Sequence, residues 1–322
     1  MRLLTIGLFG LAFAFAPSHQ AAAQEWPSRP VTFIVPFPAG AAVDTLARSV
    51  ANTLGEKLGK QFIVENRTGA GGNIGGSAAA KAAPDGHTFL FGTPAPIAIN
   101  KLMYKGLNYD SERDFIPVIL AAKSPLIIAA RANFPAKTFD ELIAYAKANP
   151  GKVNVGHPGN GTLGHITSEL VQQLAGVKMT NVPYRGSAPL TTDLMAGQID
   201  VAMDFMPTYL PQVLAGKVRA LAVTTTKRAA ELPDVPTVQE AGLKGLEATA
   251  WYAIVAPTGT PPDIVGKVNK LVNDFLASEK GKLVLEQNAL QAAGGSPQDL
   301  QAFIAGELGK WRPVIESAKI AM

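Results

Sequence analysis

The stretch GHPGNGTLGH, Gly156 to His165, sets three glycines in its first six residues, a proline and two histidines directly ahead of a helical pattern, with no lysine or arginine. Such a loop could cradle a phosphate, host a nucleophile, bind a metal through its histidines, or serve as a turn alone. A second stretch, PAGAAVD from Pro38 to Asp44, repeats the arrangement: a strand ends, glycine frees the backbone, and a helix begins. Helix N-termini leave backbone N–H groups unpaired and carry partial positive charge, so each favours an anion by about 0.3–1 kcal/mol when exposed. Two such ends facing each other would grip a carboxylate without an arginine.

The other chemistries find less in the chain. Neither loop has the lysine and hydroxyl of a P-loop, and GAGGNIGG (Gly69–Gly76) fails the GxGxxG pattern because Ile74 stands at the third glycine. That stretch reads as a demanding turn. His157, His165 and Glu169 form the best metal-like set, with His165 and Glu169 four apart on one helix face, but it lacks a convincing third ligand and any HExxH. No metal site and no cofactor are expected. There is no GxSxG and no cysteine, so no catalytic residue is nominated and the protein is not expected to be an enzyme. Asp44 and Asp204 sit beside strand ends, where a carboxylate could accept bonds from ligand groups or bridging waters. Asp44 could equally cap its helix, and Asp204 could form a hinge salt bridge. Phe37 and Phe205 could pack on a ligand ring or fill the core.

Strands and helices must position these groups. VTFIVPF, QFIVEN and HTFLFGT read as strands separated by a helix ending near Gly59 and, after a flexible TGAGGNIGG loop, a short helix in SAAAKAA. That order argues for a parallel sheet covered by helices. The pattern restarts with PVILAA and PLIIAA as strands, the helix FDELIAYAKANPG, the strand KVNVGHPGNGT and the helix LGHITSELVQQLAG. APLTTDLMAGQIDVAMD couples a helix to a strand, VRALAVTT and TAWYAIVA are further strands, and helices begin near Pro262 and Pro297. Two α/β lobes joined by crossing segments result, with crossings near Lys123–Pro125 and Thr225–Arg228.

The N-terminus combines Arg2, an apolar run from Leu3 to Ala16 and Ala21-Ala22-Ala23, the layout of a cleavable signal peptide over residues 1–23. Its apolar core is shorter than the roughly 20 residues that span a bilayer. Cleavage would leave 299 of the 322 residues, and would lower lysine plus arginine from 29 to 28 against 25 acids. The basic residues are dispersed, so nucleic acid is not an expected partner. With no cysteine, disulfides and thiolate chemistry are excluded. A periplasmic protein whose stability rests on its core is expected.

VPFPAGAAVDTLAR, VENRTGAGGNIGGSAAAKAAPDGHTFLFGT, GHPGNGTLGHITSEL, VPYRGSAPLTTDLMAGQID and LPDVPTVQEAGLKGLEATAWYAIVAPTGTPPDIVGKVN, in that order, closely resemble the Bug family. These are extracytoplasmic substrate-binding proteins of tripartite tricarboxylate transporter systems, and the likeness runs from about Trp26 to the C-terminal helices. The resemblance implies a two-lobed periplasmic binding protein, type II-like. Each lobe would be a mixed, mostly parallel sheet flanked by helices, with the ligand cleft between lobes. Residues 24–123 and 228–322 would form the first lobe and 124–227 the second.

The resemblance also implies a site for a small organic carboxylate, held by backbone and small polar groups with ordered waters assisting. Pro38, Ala39, Gly40 and Asp44 would come from the first loop, and Asn160, Gly161, Thr162 and His165 from the second. Asp204 would end the strand after AGQID, and Phe37, Thr93 and His157 complete the expected ligand-binding set. Two positions depart from the family pattern: Ala41 replaces the second glycine usual after the first-loop proline, and His157 stands where serine or alanine is common. Its imidazole could reach the ligand, in which case binding would strengthen as pH falls from about 8 towards 6, or it could face solvent or its own lobe. The expected role is solute capture by a monomer for membrane transporter subunits, the alternative being a ligand sensor docking on a sensor kinase's periplasmic domain.

Overall fold

The computed structural model describes residues 25–317 and Ile320. The expected signal peptide therefore lies outside the described residues.

The β-branched and aromatic run Val31–Val35 forms strand β1, followed by helix α1 (Ala42–Leu58), β2 (Phe62–Asn66), α2 (Asn73–Ala80) and β3 (Thr88–Gly92). β1 pairs in parallel with both β2 and β3, because each connection crosses over through a helix. Leu46, Ala47, Val50 and Leu54 recur at helical spacing on α1 and are buried, and Gly59 ends the helix at φ 64° in the left-handed region. Phe33 meets Phe62, Phe89 and Phe91 edge-on at centroid distances of 5.5–5.9 Å, so truncating it to alanine should cost about 3–5 kcal/mol.

The GAGGNIGG stretch is not the open loop its glycines suggest. A short 3₁₀ turn, Ala70–Gly72, leads into α2, which starts at Asn73 and includes Gly75 and Gly76. The glycines serve close approach: a Cβ on Gly75 would lie 2.8 Å from the Arg67 carbonyl oxygen and 2.9 Å from Pro36 Cα. After β3 a π-turn (Ala95–Ile99) runs into α3 (Asn100–Met103).

PVILAA and PLIIAA, expected as two strands, form one: β4 spans Phe115–Arg131. Up to Pro125 it pairs antiparallel with β9 (Thr249–Pro257), and from Leu126 it pairs with β7 (Val201–Phe205) and β8 (Val218–Val223). Pro125 falls where the partner changes, a position at which a missing N–H does the least damage to the ladder.

The second lobe adds α4 (Phe139–Ala148), β5 (Asn154–His157), α5 (Leu163–Ala175), β6 (Thr180–Pro183), α6 (Ser187–Ala196) and α7 (Met206–Leu214). After β9 come α8 (Pro262–Ala277), α9 (Glu279–Gln287), β10 (Gln291–Gly294) and α10 (Pro297–Ser317). The curled sheet runs β2-β1-β3-β9-β4-β7-β5-β6, with β8 and β10 also on β4. β1 to β4 share one direction in the first lobe and β5 to β8 share one in the second. β9 and β10 run against their neighbours.

The segment between β8 and β9 packs against β8 and β4. Val223 bridges Thr237, and Ala229 and Leu232 pack with Ile127 and Ala129 of β4. α10 returns to the sheet through Trp311, whose indole N–H shares the buried Glu307 carboxylate with that of Trp251. Among the described residues, no helix is long and apolar enough to cross a membrane.

Candidate functional site

Four helices begin around one cavity between the lobes. Its walls include Ala41, Ala42 and Val43 at the start of α1, Thr162 and Leu163 at the start of α5, Ser187 at the start of α6, and Phe205 and Thr208 at the start of α7. None of these four helices has a side-chain cap: the N-cap residues are Ala41, Thr162, Gly186 and Phe205. Away from the cavity, Thr138 caps α4 and Ser278 caps α9 through their side chains. Apart from the Asp44 N–H, which donates to the Ala41 carbonyl at 2.9 Å, first-turn N–H groups of the four helices are thus left for another acceptor, and the four partial positive charges point at one volume. The inner cavity is nearly closed, with a volume of about 20 Å³, and no charged side chain lines it.

A second, outer cavity of about 560 Å³ lies next to the first, and Phe37, Pro38 and Pro158 line both. Tyr104 and Asn160 stand on its walls, and the Tyr104 hydroxyl donates to the Asn160 carbonyl at 2.9 Å, tying the two lobes together. Beneath that contact lies Gly161, at φ 81°. A Cβ there would stand 2.7 Å from the Tyr104 ring and 2.9 Å from Asn100 Oδ1, an acceptor that is buried without a partner.

The expected site residues divide by position. Phe37, Pro38, Thr93 and Thr162 line the inner cavity, and Asn160 lines the outer. Ala39 and Gly40 are exposed at the loop tip, and Gly161 is buried against Tyr104.

Asp44 is buried and fully engaged: it accepts from the Gly40 N–H at 3.0 Å, from Arg48 at 2.9 Å through two nitrogens, and from Asn66 at 2.8 Å. Burial pushes its pKa up, but the bonds from Arg48, Gly40 and Asn66 win and hold it below the usual carboxylate value. Asn66 also donates to the Phe37 carbonyl, so Asp44 and Asn66 together shape the first loop.

His157 lies under the second loop and lines neither cavity. Its Nδ1 is 3.0 Å from the Gly159 carbonyl and its Nε2 is buried without a partner, while its ring centroid sits 4.5 Å from that of His165. His165 Nδ1 accepts the Gly161 N–H at 3.3 Å, which assigns its proton to Nε2, 3.8 Å from Glu169. Burial, reinforced by His165, pushes the His157 pKa down to about 3, and burial pushes His165 down to about 4. Both imidazoles are neutral supports of the loop, and the expected protonation of His157 does not suit this setting. Glu169 accepts from Asn181, and no cluster of three or more metal-ligating side chains occurs among the described residues.

Asp204 is fully buried behind Ser187 and Phe205, which line the inner cavity. Its Oδ1 accepts the Phe205 N–H at 2.7 Å and its Oδ2 the Tyr209 hydroxyl at 3.2 Å, with Ser187 also bonded to it. Burial dominates and pushes its pKa up to about 6. It makes no ion pair among the described residues, so the hinge salt bridge is not formed.

Sequence reasoning passed over Ser187, Thr208, Tyr104 and Arg185. Ser187 carried a readable signal, since VPYRGS repeats the strand, glycine, helix order of the two loops already singled out.

The model of the tripartite tricarboxylate transporter family receptor matches residues 46–320. The chain belongs to that family. Among solved structures, this receptor-family chain is similar to R. palustris Rpa4515 with adipate, at 41% identity and a TM-score of 0.89 over 92% of this chain and 99% of the other. It is similar to the periplasmic binding protein BugD at 35% identity and a TM-score of 0.86, again over 92% and 99%. MatC from Rhodopseudomonas palustris with bound malate matches at 33% identity and a TM-score of 0.86, over 90% of this chain and all of that one. The two-lobed Bug-type fold expected from the sequence is therefore the observed one, and the family and these neighbours are solute-binding receptors.

Proposed function

We propose that this protein is a periplasmic, non-catalytic solute-binding protein. It captures a small organic carboxylate between its lobes and delivers it to the membrane subunits of a tripartite tricarboxylate-type transporter. The observation that carries the reading is the convergence of four uncapped helix N-termini on a cavity with no charged wall. A carboxylate placed there accepts backbone N–H bonds, and the one acid close behind the wall, Asp204, is held by Ser187, the Phe205 N–H and Tyr209. The adipate and malate of the structural neighbours support the ligand class.

In this reading Phe37, Pro38, Thr93, Thr162, Ser187 and Thr208 contact the ligand. Asp44, His157, His165 and Asp204 hold the loops that present it, and Ala39, Gly40, Asn160 and Gly161 supply backbone freedom and closure. The lobes divide at the change of partner along β4 near Pro125 and again at Ala248, one residue before β9, rather than near residue 228. Export as a monomer with a leader cleaved after Ala23 completes the proposal, and N-terminal sequencing of the exported protein checks it.

A thermal-shift screen over organic acids, followed by calorimetry, tests the central claim. A true ligand at 100 times its Kd stabilises the protein by about 2.7 kcal/mol. Binding confined to cations or neutral solutes, or turnover of an acid, would refute it.

A further inference from the structure

We propose that Asn160, at the tip of the second loop, is a site of spontaneous deamidation that is freed to react when the lobes part, and that its conversion sets a new carboxylate at the start of α5. The modification stands apart from the carboxylate reading of the inner cavity, and its effect on binding rests on that reading.

Asn160 and Gly161 form the one Asn-Gly pair in the sequence. Asparagine cyclises when the backbone nitrogen of the next residue attacks its side-chain amide, and a following glycine puts no Cβ in the way. Asn160 is exposed, and its side-chain amide makes no hydrogen bond among the described residues. The Gly161 N–H points at His165 Nδ1, 3.3 Å away, so the proton that must leave the attacking nitrogen has an acceptor in place. Burial keeps that imidazole neutral beforehand, and Glu169, 3.8 Å from Nε2, faces the charge it gains. Loop, imidazole and carboxylate all lie between β5 and the end of α5, so they stay together when the lobes separate.

The restraint comes from the first lobe. Cyclisation turns the peptide plane between Asn160 and Gly161, but the Asn160 carbonyl accepts the Tyr104 hydroxyl at 2.9 Å and packs against Gly71. Parting the lobes removes both contacts. The Gly161 nitrogen then bonds to Asn160 Cγ, its proton passes to His165 Nδ1 and on to the side-chain nitrogen, and ammonia leaves. Water opens the cyclic imide at either carbonyl, giving aspartate or isoaspartate. Position 160 lies two residues ahead of Thr162, the N-cap of α5, so an acid there competes with a bound anion for that helix end. Asp85 and Gly86, a pair open to the same cyclisation, are locked instead: Arg29 and the His87 N–H hold the carboxylate at 2.7 and 3.0 Å, and the Trp26 indole holds the Gly86 carbonyl at 3.0 Å.

The test incubates the folded protein at mildly alkaline pH and maps its peptides by mass spectrometry, with an isoaspartyl methyltransferase to detect isoaspartate. The amide-to-acid mass gain should appear at Asn160 ahead of every other asparagine, with Asp85 unchanged. Conversion should run about fivefold faster in Tyr104→Phe, the scale of one lost hydrogen bond, and slower in His165→Gln. Asn160 left intact while a synthetic peptide of residues 156–165 converts overturns the proposal, and a Tyr104→Phe rate equal to wild type overturns the gating by the lobes. By calorimetry, Asn160→Asp should bind adipate or malate, whichever the wild type takes, about fivefold more weakly. Equal affinity overturns the effect on binding. Wild-type protein that binds neither acid counts against the carboxylate reading, while the mass result still decides the modification.

Discussion

Lowering the pH from 7.5 to 5.0 should remove roughly 2–3 kcal/mol of stability from the ligand-free protein, with His157 and His165 as the main cause. Both are buried, and their pKa values are pushed down to about 3 and about 4 from 6.5. Below pH 6.5 the unfolded chain takes up protons that the folded chain refuses, so stability falls as pH falls. At pH 5 both folded-state values still lie below the ambient pH. The loss is then set by the unfolded-state value alone, about 2 kcal/mol for each histidine.

Asp204 acts in the opposite sense. Its folded pKa of about 6 exceeds the unfolded 3.8, so the cost of burying its charge is relieved as pH falls through 6, returning roughly 1 kcal/mol at pH 5. The contribution of Asp44, held below the usual range, is lost only at lower pH, below 3.8.

Urea unfolding followed by the fluorescence of Trp26, Trp251 and Trp311 reads the difference. His157→Asn places an amide nitrogen where Nδ1 now faces the Gly159 carbonyl, and should make the acid loss about 2 kcal/mol shallower. Equal urea midpoints at the two pH values in the wild type, with the same slope in His157→Asn, would show that these imidazoles are not buried as neutral groups.

Three other perturbations address the cleft. Gly161→Val combines a φ of 81° with a Cβ 2.7 Å from the Tyr104 ring, so calorimetry should show ligand affinity reduced more than tenfold; normal binding would remove the loop from the site. Tyr104→Phe deletes the bond to the Asn160 carbonyl, worth about 1 kcal/mol, and should raise Kd about fivefold through a faster off-rate in stopped-flow measurements; an unchanged off-rate would mean the bond does not hold the closed form. An anion in the inner cavity should raise the Asp204 pKa further, so binding near pH 6.5 takes up a fraction of a proton, measurable by calorimetry in buffers of different ionisation heat, and Asp204→Asn should abolish the uptake.

The parts of the site legible in the sequence were those written in local backbone chemistry. PAGAAVD and PGNGT announce a strand ending, a glycine and a helix N-terminus, and the structure puts both beside the inner cavity. Contacts made across the fold left no local trace. Tyr104 and Asn160 are 56 residues apart, and the burial that keeps His157 neutral comes from packing against His165 and the loop above it. Helix α7 is hard to see in the sequence for another reason: it holds two prolines, yet Pro207 falls in the first turn, where a missing N–H costs nothing. The two lobes were readable from the restart of the strand pattern, but the unity of β4 was not, because a proline at a change of partner looks the same in sequence as a proline between two strands.

The division of charge between the two cavities has a consequence for release. An arginine pairing the ligand in the inner cavity would leave a desolvated charge unpaired each time the ligand departed, a penalty of about 3–5 kcal/mol when one partner of a buried pair is lost. Helix N-termini spread the same attraction over fixed backbone dipoles, each contributing up to about 2 kcal/mol when partly buried, and they need not move or recapture a counter-charge when the site empties. Arg185 stands in the outer cavity and is exposed, so its guanidinium returns to water when the lobes part. Its attraction is weak at equilibrium but reaches into solvent, where it favours encounter with anions. In a solute-binding receptor this arrangement puts steering at the mouth and reversible grip at the base. Moving the charge inward, by Thr162→Lys, should therefore slow ligand release more than it speeds capture; stopped-flow rates showing a faster capture with unchanged release would contradict that assignment of roles.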